Sequence, residues 1–351
     1  MRKNHTTMHS DTKQLGGQQP DDVISVDLLL RRRPGTYSIE RVFRIIADAL
    51  PAPIQTRWLQ LPAGPWRAVD IVRNLLWCLR HCGRLVHVTG DVHYCVLALP
   101  GRQVVLTVHD LLMLTQLHGW RRRVVQKLWF DWPLRRCAVV TCISEQTKEE
   151  LLALDVIKPD KIVVIPDPLS PDFAFCQKDF CAAHPRILHF NVTANKNLLR
   201  SIDALAGLPC HLRIVGQLSA EQRARLSAQG IDHSNAWDLN DHDILAEYQS
   251  CDLLLFPSLA EGFGMPIIEA QATGRPVVTS NRQPMIATAG AGAALVDPAD
   301  PAAIRAAIDR VIGDDPYRRD LVANGRKNAA RFAANAIARR YSDIYRQLQA
   351  R

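Results

Sequence analysis

The sequence has no apolar run long enough to cross a membrane. In its 351 residues no apolar run approaches the roughly eighteen consecutive residues that a spanning helix needs. Residues 1–22 are polar and lack the apolar segment of a signal peptide, and we expect a disordered tail there. These absences predict a cytoplasmic protein.

The sequence also has no C-x-x-C pair. Its nine cysteines are odd in number and most lie in apolar runs, which indicates reduced thiols rather than disulfides. The pairs Cys78 with Cys82 and Cys176 with Cys181 have no second ligand pair to complete a zinc site. We therefore expect no metal.

Signatures of nucleic-acid binding are missing as well. The net charge is +8, but no helix-turn-helix, zinc module or RNP motif accompanies it, so we expect no nucleic-acid partner. Residues 1–175 contain 23 Lys and Arg against 17 Asp and Glu, and six of the seven tryptophans. This basic half could dock on an anionic membrane, or it could be a solvated surface over an aromatic core.

The chain length predicts two domains of ordinary size. In residues 23–166 strand and helix patterns alternate five or six times, which predicts a doubly wound parallel sheet. Residues 167–184 lack periodicity and read as a linker. A second strand-and-helix series fills residues 185–330. The fold class is therefore α/β with two Rossmann-like domains.

Residues 251–280 contain the strongest local pattern. An apolar strand candidate is followed by Glu261 and a short glycine loop, and Pro266 then lies where the first turn of a helix tolerates proline. A further strand begins near Pro276. We also expect a strand that ends at residues 236–239, followed by a helix that Asp241 caps. Free N–H groups of the glycine loop favour anions or sugar hydroxyls.

Two carboxylates flank this loop, Glu261 within it and Glu269 in the helix. A carboxylate can accept two hydrogen bonds from vicinal hydroxyls of a sugar or ribose. Both could instead be solvated surface charges. In the same domain Lys196 stands at a helix start beside a strand end, which suits contact with a diphosphate.

Polar residues also follow the strands of the first domain. The turn at residues 31–38 carries three arginines but only one glycine, so it is no dinucleotide fingerprint. Two later strands are each followed by an aspartate and a histidine. Asp91 and His93 follow the third strand, and His109 and Asp110 follow the fourth. Carboxyl ends of parallel strands meet at one edge, and an active site is expected there.

Residues 119–137 form a basic, aromatic segment. We predict a helix that is broken near Pro133. It could lie on a membrane surface, or it could pack on the sheet with its arginines exposed.

The string E-G-F-G-M-P-I-I-E from Glu261 to Glu269, preceded by F-P-S and followed by A-x-A-x-G-x-P-V-V, closely resembles the E-x7-E signature of family-4 retaining glycosyltransferases with the GT-B fold. The runs V-x-T-V-H-D, A-x-V-V-T-x-I-S-E and D-K-I-V-V-I-P of the first domain are similar to landmarks of the same family. The resemblance implies that residues 331–351 cross back to the first domain as a helix.

The resemblance also implies roles for single residues. His109 would contact the donor sugar, Glu261 the donor hydroxyls and Lys196 the diphosphate, and these three are the predicted catalytic group. The predicted donor-binding residues are Asn191, Lys196, Gly262, Phe263, Gly264, Met265 and Glu269, with Glu269 on the ribose. The predicted acceptor side comprises Gly35, Thr36, Ser38, Asp91, His93 and Asp110.

The implied function is a metal-independent retaining hexosyltransferase. It would move mannose or glucose from a GDP- or UDP-linked donor, with no other cofactor, to a saccharide or lipid-linked acceptor in polysaccharide biosynthesis. Phe190 stands where the family usually has glycine, Asn191 where some members have a second cation, and Ala287 where the family commonly has a glutamate. These departures leave a non-catalytic sugar-nucleotide binder as the alternative. Asn195, where arginine is common, also departs from the family pattern. The implied location is the cytoplasm, with possible peripheral contact at the inner face of an anionic membrane.

Overall fold

The computed structural model describes residues 23–32, 38–99 and 103–350. Within them the chain forms two six-stranded, fully parallel sheets. The tail predicted for residues 1–22 lies outside the described residues. The central strands, such as Val104–Val108 and Leu253–Phe256, are fully buried apolar runs, as expected for parallel sheets that carry helices on both faces.

The first half contains strands and helices in alternation, and its sheet has the order β2-β1-β3-β4-β5-β6. Its elements are β1 (Ile24–Leu30), α1 (Ser38–Asp48), β2 (Ile54–Gln60), α2 (Ala68–His81), β3 (Val86–Val88), β4 (Val104–Val108), α3 (Leu112–Gln116), α4 (Gly119–Val125), α5 (Trp132–Arg136), β5 (Val139–Cys142), α6 (Glu145–Leu152) and β6 (Ile162–Val164). A 3-10 helix at His93–Ala98 follows β3.

The second half repeats this architecture, with the sheet order β12-β11-β10-β7-β8-β9. Its elements are β7 (Arg186–Phe190), α7 (Leu198–Leu205), β8 (His211–Val215), α8 (Ala220–Ala228), β9 (His233–Ala236), α9 (Asp241–Ser250), β10 (Leu253–Phe256), α10 (Met265–Ala272), β11 (Val277–Ser280), α11 (Met285–Ala289), β12 (Ala294–Val296), α12 (Pro301–Gly313), α13 (Asp315–Ala329) and α14 (Ala334–Gln349). The predicted pair of parallel, helix-flanked sheets is confirmed.

The last helix, α14, packs on the first sheet rather than on the second. Its apolar face joins a core formed with β1 and α1. Within that core the Tyr345 hydroxyl lies 2.6 Å from His87 Nδ1, and His87 Nε2 lies 2.7 Å from Thr107 Oγ1. Burial lowers the pKa of His87 to about 3, so the imidazole is neutral and joins the two elements by hydrogen bonds.

Two local predictions are wrong. Residues 119–136 are helical throughout rather than broken at Pro133: a π-helical turn at Gln126–Asp131 follows α4 and leads directly into α5, which contains Pro133. The strand predicted at residues 236–239 ends at Ala236, and Asn240 rather than Asp241 caps α9. The side chain of Asn240 accepts from the Asp243 N–H at 3.0 Å.

Among the residues that the structure describes, no helix combines the length and the apolar character needed to cross a bilayer.

Candidate functional site

The glycine loop lies at the carboxyl edge of the second sheet. It connects β10 to α10, and α10 has Pro266 in its first turn as predicted. Gly264 precedes the helix with φ +100°, a conformation that side chains other than glycine rarely adopt. The first turn of α10 therefore carries backbone N–H groups that have no partner within the helix.

Gly262 brings this loop against the first domain. A Cβ atom placed on Gly262 would lie 3.0 Å from the carbonyl oxygen of His109 and 3.4 Å from Ile143 Cδ1. His109 follows β4, and Ile143 follows β5. Only a residue without a side chain permits this approach, so the contact places His109 beside the glycine loop.

Lys196 and Glu261 form an ion pair in this region. Lys196 Nζ donates to Glu261 Oε1 at 2.6 Å, and the two side chains are only 14% and 10% exposed. The ammonium also lies 4.9 Å from the ring centroid of Phe256. Asn195 Nδ2 donates to the Ala260 carbonyl at 3.0 Å and ties the two loops together. The residues predicted for the diphosphate and for the sugar thus contact each other, and each fixes the position of the other.

Glu269 is nearly buried in α10, with 7% of its surface exposed. Burial raises the pKa of its carboxyl, while the Tyr248 hydroxyl, which donates to Oε2 at 2.8 Å, and the charge of Arg41 act in the opposite direction. Arg41 reaches this region from α1 and binds Asp241 across the two domains at 3.0 Å. The carboxylate is therefore held by one hydroxyl and lies near one cation.

A cavity of about 1320 Å³ opens beside Arg41 and Asp241, between α1, the linker and the turn before α9. It does not reach Lys196, Glu261 or His109. A smaller cavity of about 700 Å³ is lined by Asp110, Glu261 and Gly262 together. Of the predicted catalytic residues, Glu261 alone lines the smaller cavity.

His109 is half-buried, and its ring packs edge-on against Phe43 at 6.2 Å between centroids. Its Nε2 lies 2.9 Å from the carbonyl oxygen of Thr89. A carbonyl can only accept, so Nε2 carries a proton, and in the neutral ring Nδ1 is left as an acceptor. The orientation of the imidazole is thereby fixed by β3.

Asp110 and Asp91 lie on the first-domain side. Asp110 Oδ1 accepts from the Leu112 N–H at 2.9 Å. Its side chain keeps access to solvent although protein atoms crowd it, and this desolvation raises the pKa of the carboxyl. Asp91 Oδ2 accepts from Arg31 at 2.6 Å, and Arg31 also binds Glu40 at 3.2 Å. Asp91 is therefore already engaged by a buried guanidinium.

The structure corrects the prediction for His93 and leaves Phe263 only its backbone for the predicted donor contact. His93 is 4% exposed and its Nδ1 donates to the Trp129 carbonyl at 2.8 Å, with burial lowering its pKa to about 4. It is a core residue rather than an acceptor contact. The Phe263 ring is 6% exposed and packs against Phe332 at 5.5 Å, so only its backbone is free to face a donor.

The other predicted residues have mixed outcomes. Asn191 has φ +69°, and its Oδ1 accepts from the Val192 N–H at 2.7 Å. That oxygen therefore stabilises the turn in which Asn191 lies. Met265 opens α10 as expected. Gly35 and Thr36 lie outside the described residues, as does the side chain of Ser38.

Sequence reasoning missed Arg41 and Tyr248. Arg41 lies on an amphipathic helix, where a solvated arginine has the same pattern as one that reaches across a cleft. Tyr248 is fully buried in α9, and the sequence gives no signal that its hydroxyl reaches α10.

Two family models match the two halves of the chain. The model described as Glycosyltransferase Family 4 matches residues 12–173, and the model described as Glycosyl transferases group 1 matches residues 190–328. The chain belongs to the family 4, group 1 glycosyltransferases.

Several curated glycosyltransferases are similar to this family 4 chain. The serotype-specific mannosyltransferase WbdA of Escherichia coli is 28% identical over 224 residues, which are 56% of this chain and 27% of WbdA. The MMP alpha-(1->4)-mannosyltransferase of Mycolicibacterium hassiacum is 24% identical over 66% of this chain and 61% of its own. The chain thus spans about a quarter of the length of WbdA.

Solved structures identify the fold as GT-B. Sucrose-phosphate synthase from Thermosynechococcus elongatus superposes with a TM-score of 0.73 at 22% identity, over 93% of this chain and 99% of that one. WaaG, a glycosyltransferase involved in lipopolysaccharide biosynthesis, gives a TM-score of 0.67 at 18% identity over 91% and 99%. The predicted GT-B fold is confirmed.

Proposed function

We propose that this glycosyltransferase moves a hexose, of the mannose or glucose type, from a GDP- or UDP-linked donor to a saccharide hydroxyl with retention of configuration. The observation that carries the proposal is the Lys196–Glu261 ion pair beside a glycine loop that contacts the backbone of His109 at the end of β4. The mannosyltransferases among its relatives support the choice of sugar. A neighbouring GT-B structure, HepE of Anabaena in complex with UDP-glucose, supports the class of donor.

The proposed chemistry depends on stabilising the leaving diphosphate. Lys196 supplies a full charge, and the N–H groups at the start of α10 supply the positive end of a helix dipole. Together these donors can serve where other transferases use a divalent ion, and we propose that the enzyme works without one. Glu261 then orients Lys196 and accepts from sugar hydroxyls through its second oxygen.

Glu269 is proposed to accept from the ribose hydroxyls. It lies in the helix that begins at the glycine loop, and the Tyr248 hydroxyl occupies only one of its oxygens. His109 is proposed to face the donor sugar from the first domain. The acceptor hydroxyl would attack from the same face as the departing diphosphate, and the closed domains would exclude water.

We also propose peripheral contact with the anionic cytoplasmic face of a membrane. The stripe of Val69, Val72, Leu76 and Leu79 along α2 is exposed, each side chain by 47% or more. Both α2 and α5 pack against the 3-10 helix at His93–Ala98. Residues 66–84 and 119–136 carry ten Lys and Arg against two Asp, and cations near an anionic surface contribute ~1 kcal/mol each. We call these two segments the basic apolar face.

One observation favours a non-catalytic donor binder as the second candidate. Phe190, which replaces the usual glycine, stacks on Tyr248 at 5.9 Å with an interplanar angle of 11°. Tyr248 in turn binds Glu269. A bulky ring is therefore packed beside the carboxylate proposed for the ribose, and this could favour binding without turnover.

Thermal unfolding with nucleoside diphosphates tests the proposal. We expect one of GDP and UDP to raise the melting temperature more than ADP does, with or without EDTA, since a ligand at one hundred times its Kd stabilises by about 2.7 kcal/mol. Lys196→Ala and Glu269→Gln should reduce the shift, whereas Lys327→Ala, an exposed lysine on α13, should not.

Radiolabelled transfer from GDP-mannose and UDP-glucose then separates the two candidates. Transfer to a mannoside supports the enzyme, and a nucleotide shift with neither transfer nor donor hydrolysis supports the binder. No shift with any nucleotide at millimolar concentration contradicts both candidates.

A further inference from the structure

A histidine that the proposed chemistry does not use lies in β7, close to the loop that leads to Lys196. The side chain of this residue, His189, is fully buried. Ile187, two residues earlier on the same face of β7, belongs to the apolar core, and so does Ile214, the cross-strand partner of His189 on β8. A polar ring in such a layer must find its hydrogen-bond partners within the protein.

Only one nitrogen of this ring has a partner among the residues that the structure describes. His189 Nδ1 lies 3.1 Å from the carbonyl oxygen of Asn191. Because a carbonyl can only accept, Nδ1 carries a proton, and in the neutral ring Nε2 is left as an acceptor. Nε2 is buried and no described residue donates to it. A buried nitrogen without a partner costs free energy, so the neutral ring does not fit its surroundings well.

The backbone around the ring favours a second proton. Burial lowers the pKa of His189 to about 4, and the Lys196 ammonium acts in the same direction, whereas hydrogen bonding to the backbone of Asn191 and of Lys196 opposes both. Two backbone carbonyls can be satisfied together only by an imidazolium, which donates from both of its nitrogens. Among the described residues, Lys196 is the only charged side chain that shifts this pKa.

A diphosphate at Lys196 would change the charge that acts on the ring. It would bring two negative charges to the ammonium, and negative charges near a histidine favour the protonated form. The end of the loop is held in place, since Asn197 Nδ2 donates to the carbonyls of Pro257 and Pro298 at 3.0 and 2.7 Å. The charge of the ligand would therefore act on a ring at a fixed position.

We propose that His189 is a positioning residue of the donor site, which takes up a proton from solvent when the diphosphate of the donor binds. The imidazolium then donates to the backbone of both Asn191 and Lys196 and fixes the loop between them. It also adds a positive charge behind Lys196, which helps to stabilise the leaving diphosphate. This proposal rests on the proposed donor binding, and its test separates the two.

The test is calorimetric titration of the intact protein with UDP-glucose and with GDP-mannose, at pH 5.5 and pH 7.5, in buffers that differ in ionisation enthalpy. The dependence of the measured enthalpy on the buffer gives the number of protons taken up. Neither donor has a group that titrates in this range, so the protons bind to the protein. Because the ring would hold more protons in the bound state, its contribution to donor affinity is present at the lower pH and lost at the higher.

His189→Asn is the decisive variant. It keeps a side-chain N–H near the position of Nδ1 and cannot be protonated. We expect it to lose the proton uptake and to bind the donor about tenfold more weakly than wild type at pH 5.5, the lower end of what a hydrogen bond to a charged group contributes. At pH 7.5 the two affinities should converge. Glu269, whose pKa is raised, contributes a release of protons in both proteins, so the difference between them isolates the ring.

His211→Asn is the matched control, since His211 begins β8 at the opposite edge of the same sheet and its Nδ1 lies 3.1 Å from Asp232. It should keep the proton uptake of wild type. NMR of the wild-type protein with ¹⁵N-labelled histidine gives a second measurement that does not depend on the folding of a variant. The two ring nitrogens of His189 should change from the neutral to the imidazolium pattern when donor is added at pH 5.5.

The outcomes are distinguishable. Equal proton uptake by wild type and His189→Asn, or a ring that stays neutral with donor bound, overturns the role of His189 while leaving donor binding intact. A His189→Asn variant that loses affinity by the same factor at both pH values has only a structural defect, which also overturns it. If neither donor binds to the wild type, the proposed function itself is contradicted, and this proposal with it.

Discussion

Substituting alanine for Gly262 tests the contact that brings the two domains together. The added Cβ would lie 3.0 Å from the His109 carbonyl oxygen, whereas ordinary contacts begin at 3.4 Å. The neighbour is backbone at the end of β4 and cannot rotate away. The glycine loop must therefore retreat by a few tenths of an ångström from His109, and Glu261 moves with it.

The size of the effect follows from this overlap. Overpacking of a well-packed contact costs about 1–3 kcal/mol. If that cost falls on the closed, reactive arrangement, kcat/KM should drop by about 5- to 150-fold, since ~1.4 kcal/mol corresponds to a factor of ten. Nucleotide binding should change little, because Lys196 and Glu269 belong to the second domain alone.

The assay is mannose or glucose transfer, with the affinity for nucleoside diphosphate measured in parallel. Gly313→Ala is the control, because a Cβ at Gly313, at the end of α12, meets no atom within 4 Å. A Gly262→Ala enzyme with the kcat/KM of the Gly313→Ala enzyme would refute the reasoning. Equal losses of nucleotide affinity and of activity would refute it too, since they would place the damage in donor binding.

Two further predictions concern the donor carboxylate and the membrane. Donor affinity should be full above the raised pKa of Glu269 and fall as the pH drops through it, because only the ionised carboxylate accepts from both ribose hydroxyls. Tyr248→Phe should move this loss upward by about one to two pH units, since a hydrogen bond to a charged group contributes ~1.5–3 kcal/mol. Calorimetric titration of nucleotide from pH 5 to 8 checks this, and an unmoved profile contradicts it. Leu76→Ser with Leu79→Ser should reduce co-sedimentation with phosphatidylglycerol vesicles, and binding to wild type should weaken as salt rises. Equal binding to phosphatidylcholine vesicles contradicts the membrane contact.

The sequence predicted the architecture because its signals are local. Short apolar runs bounded by turn residues, such as Leu253–Phe256, favour buried strands, and Pro266 after a glycine loop marks where α10 begins. Where these signals were weak, the prediction failed. At residues 236–239 the apolar residues continue beyond Ala236, but the strand ends there and the chain turns toward the cap at Asn240.

For the site residues, the sequence predicted only which residue types follow the strands. It did not predict where their side chains lie. His93 and His109 both follow strands of the first domain, yet His93 is bound to a carbonyl in the core and His109 lies at the glycine loop. The difference depends on which neighbour fills the space beside each ring. No pattern along the chain carries that information, because Trp129 is 36 residues away from His93.

By itself the sequence determined the two parallel sheets, the family and the identity of the glycine loop, since each depends on residues close together in the chain. The tertiary structure alone decided that Lys196 binds Glu261, 65 residues further on, that Arg41 crosses to Asp241, and that Gly262 rests on the His109 carbonyl. The first pair forms where the ends of the neighbouring strands β7 and β10 meet within the second domain, and the other two form only when the two sheets close on each other. Their geometry depends on the packing of the whole interface rather than on the preference of any segment.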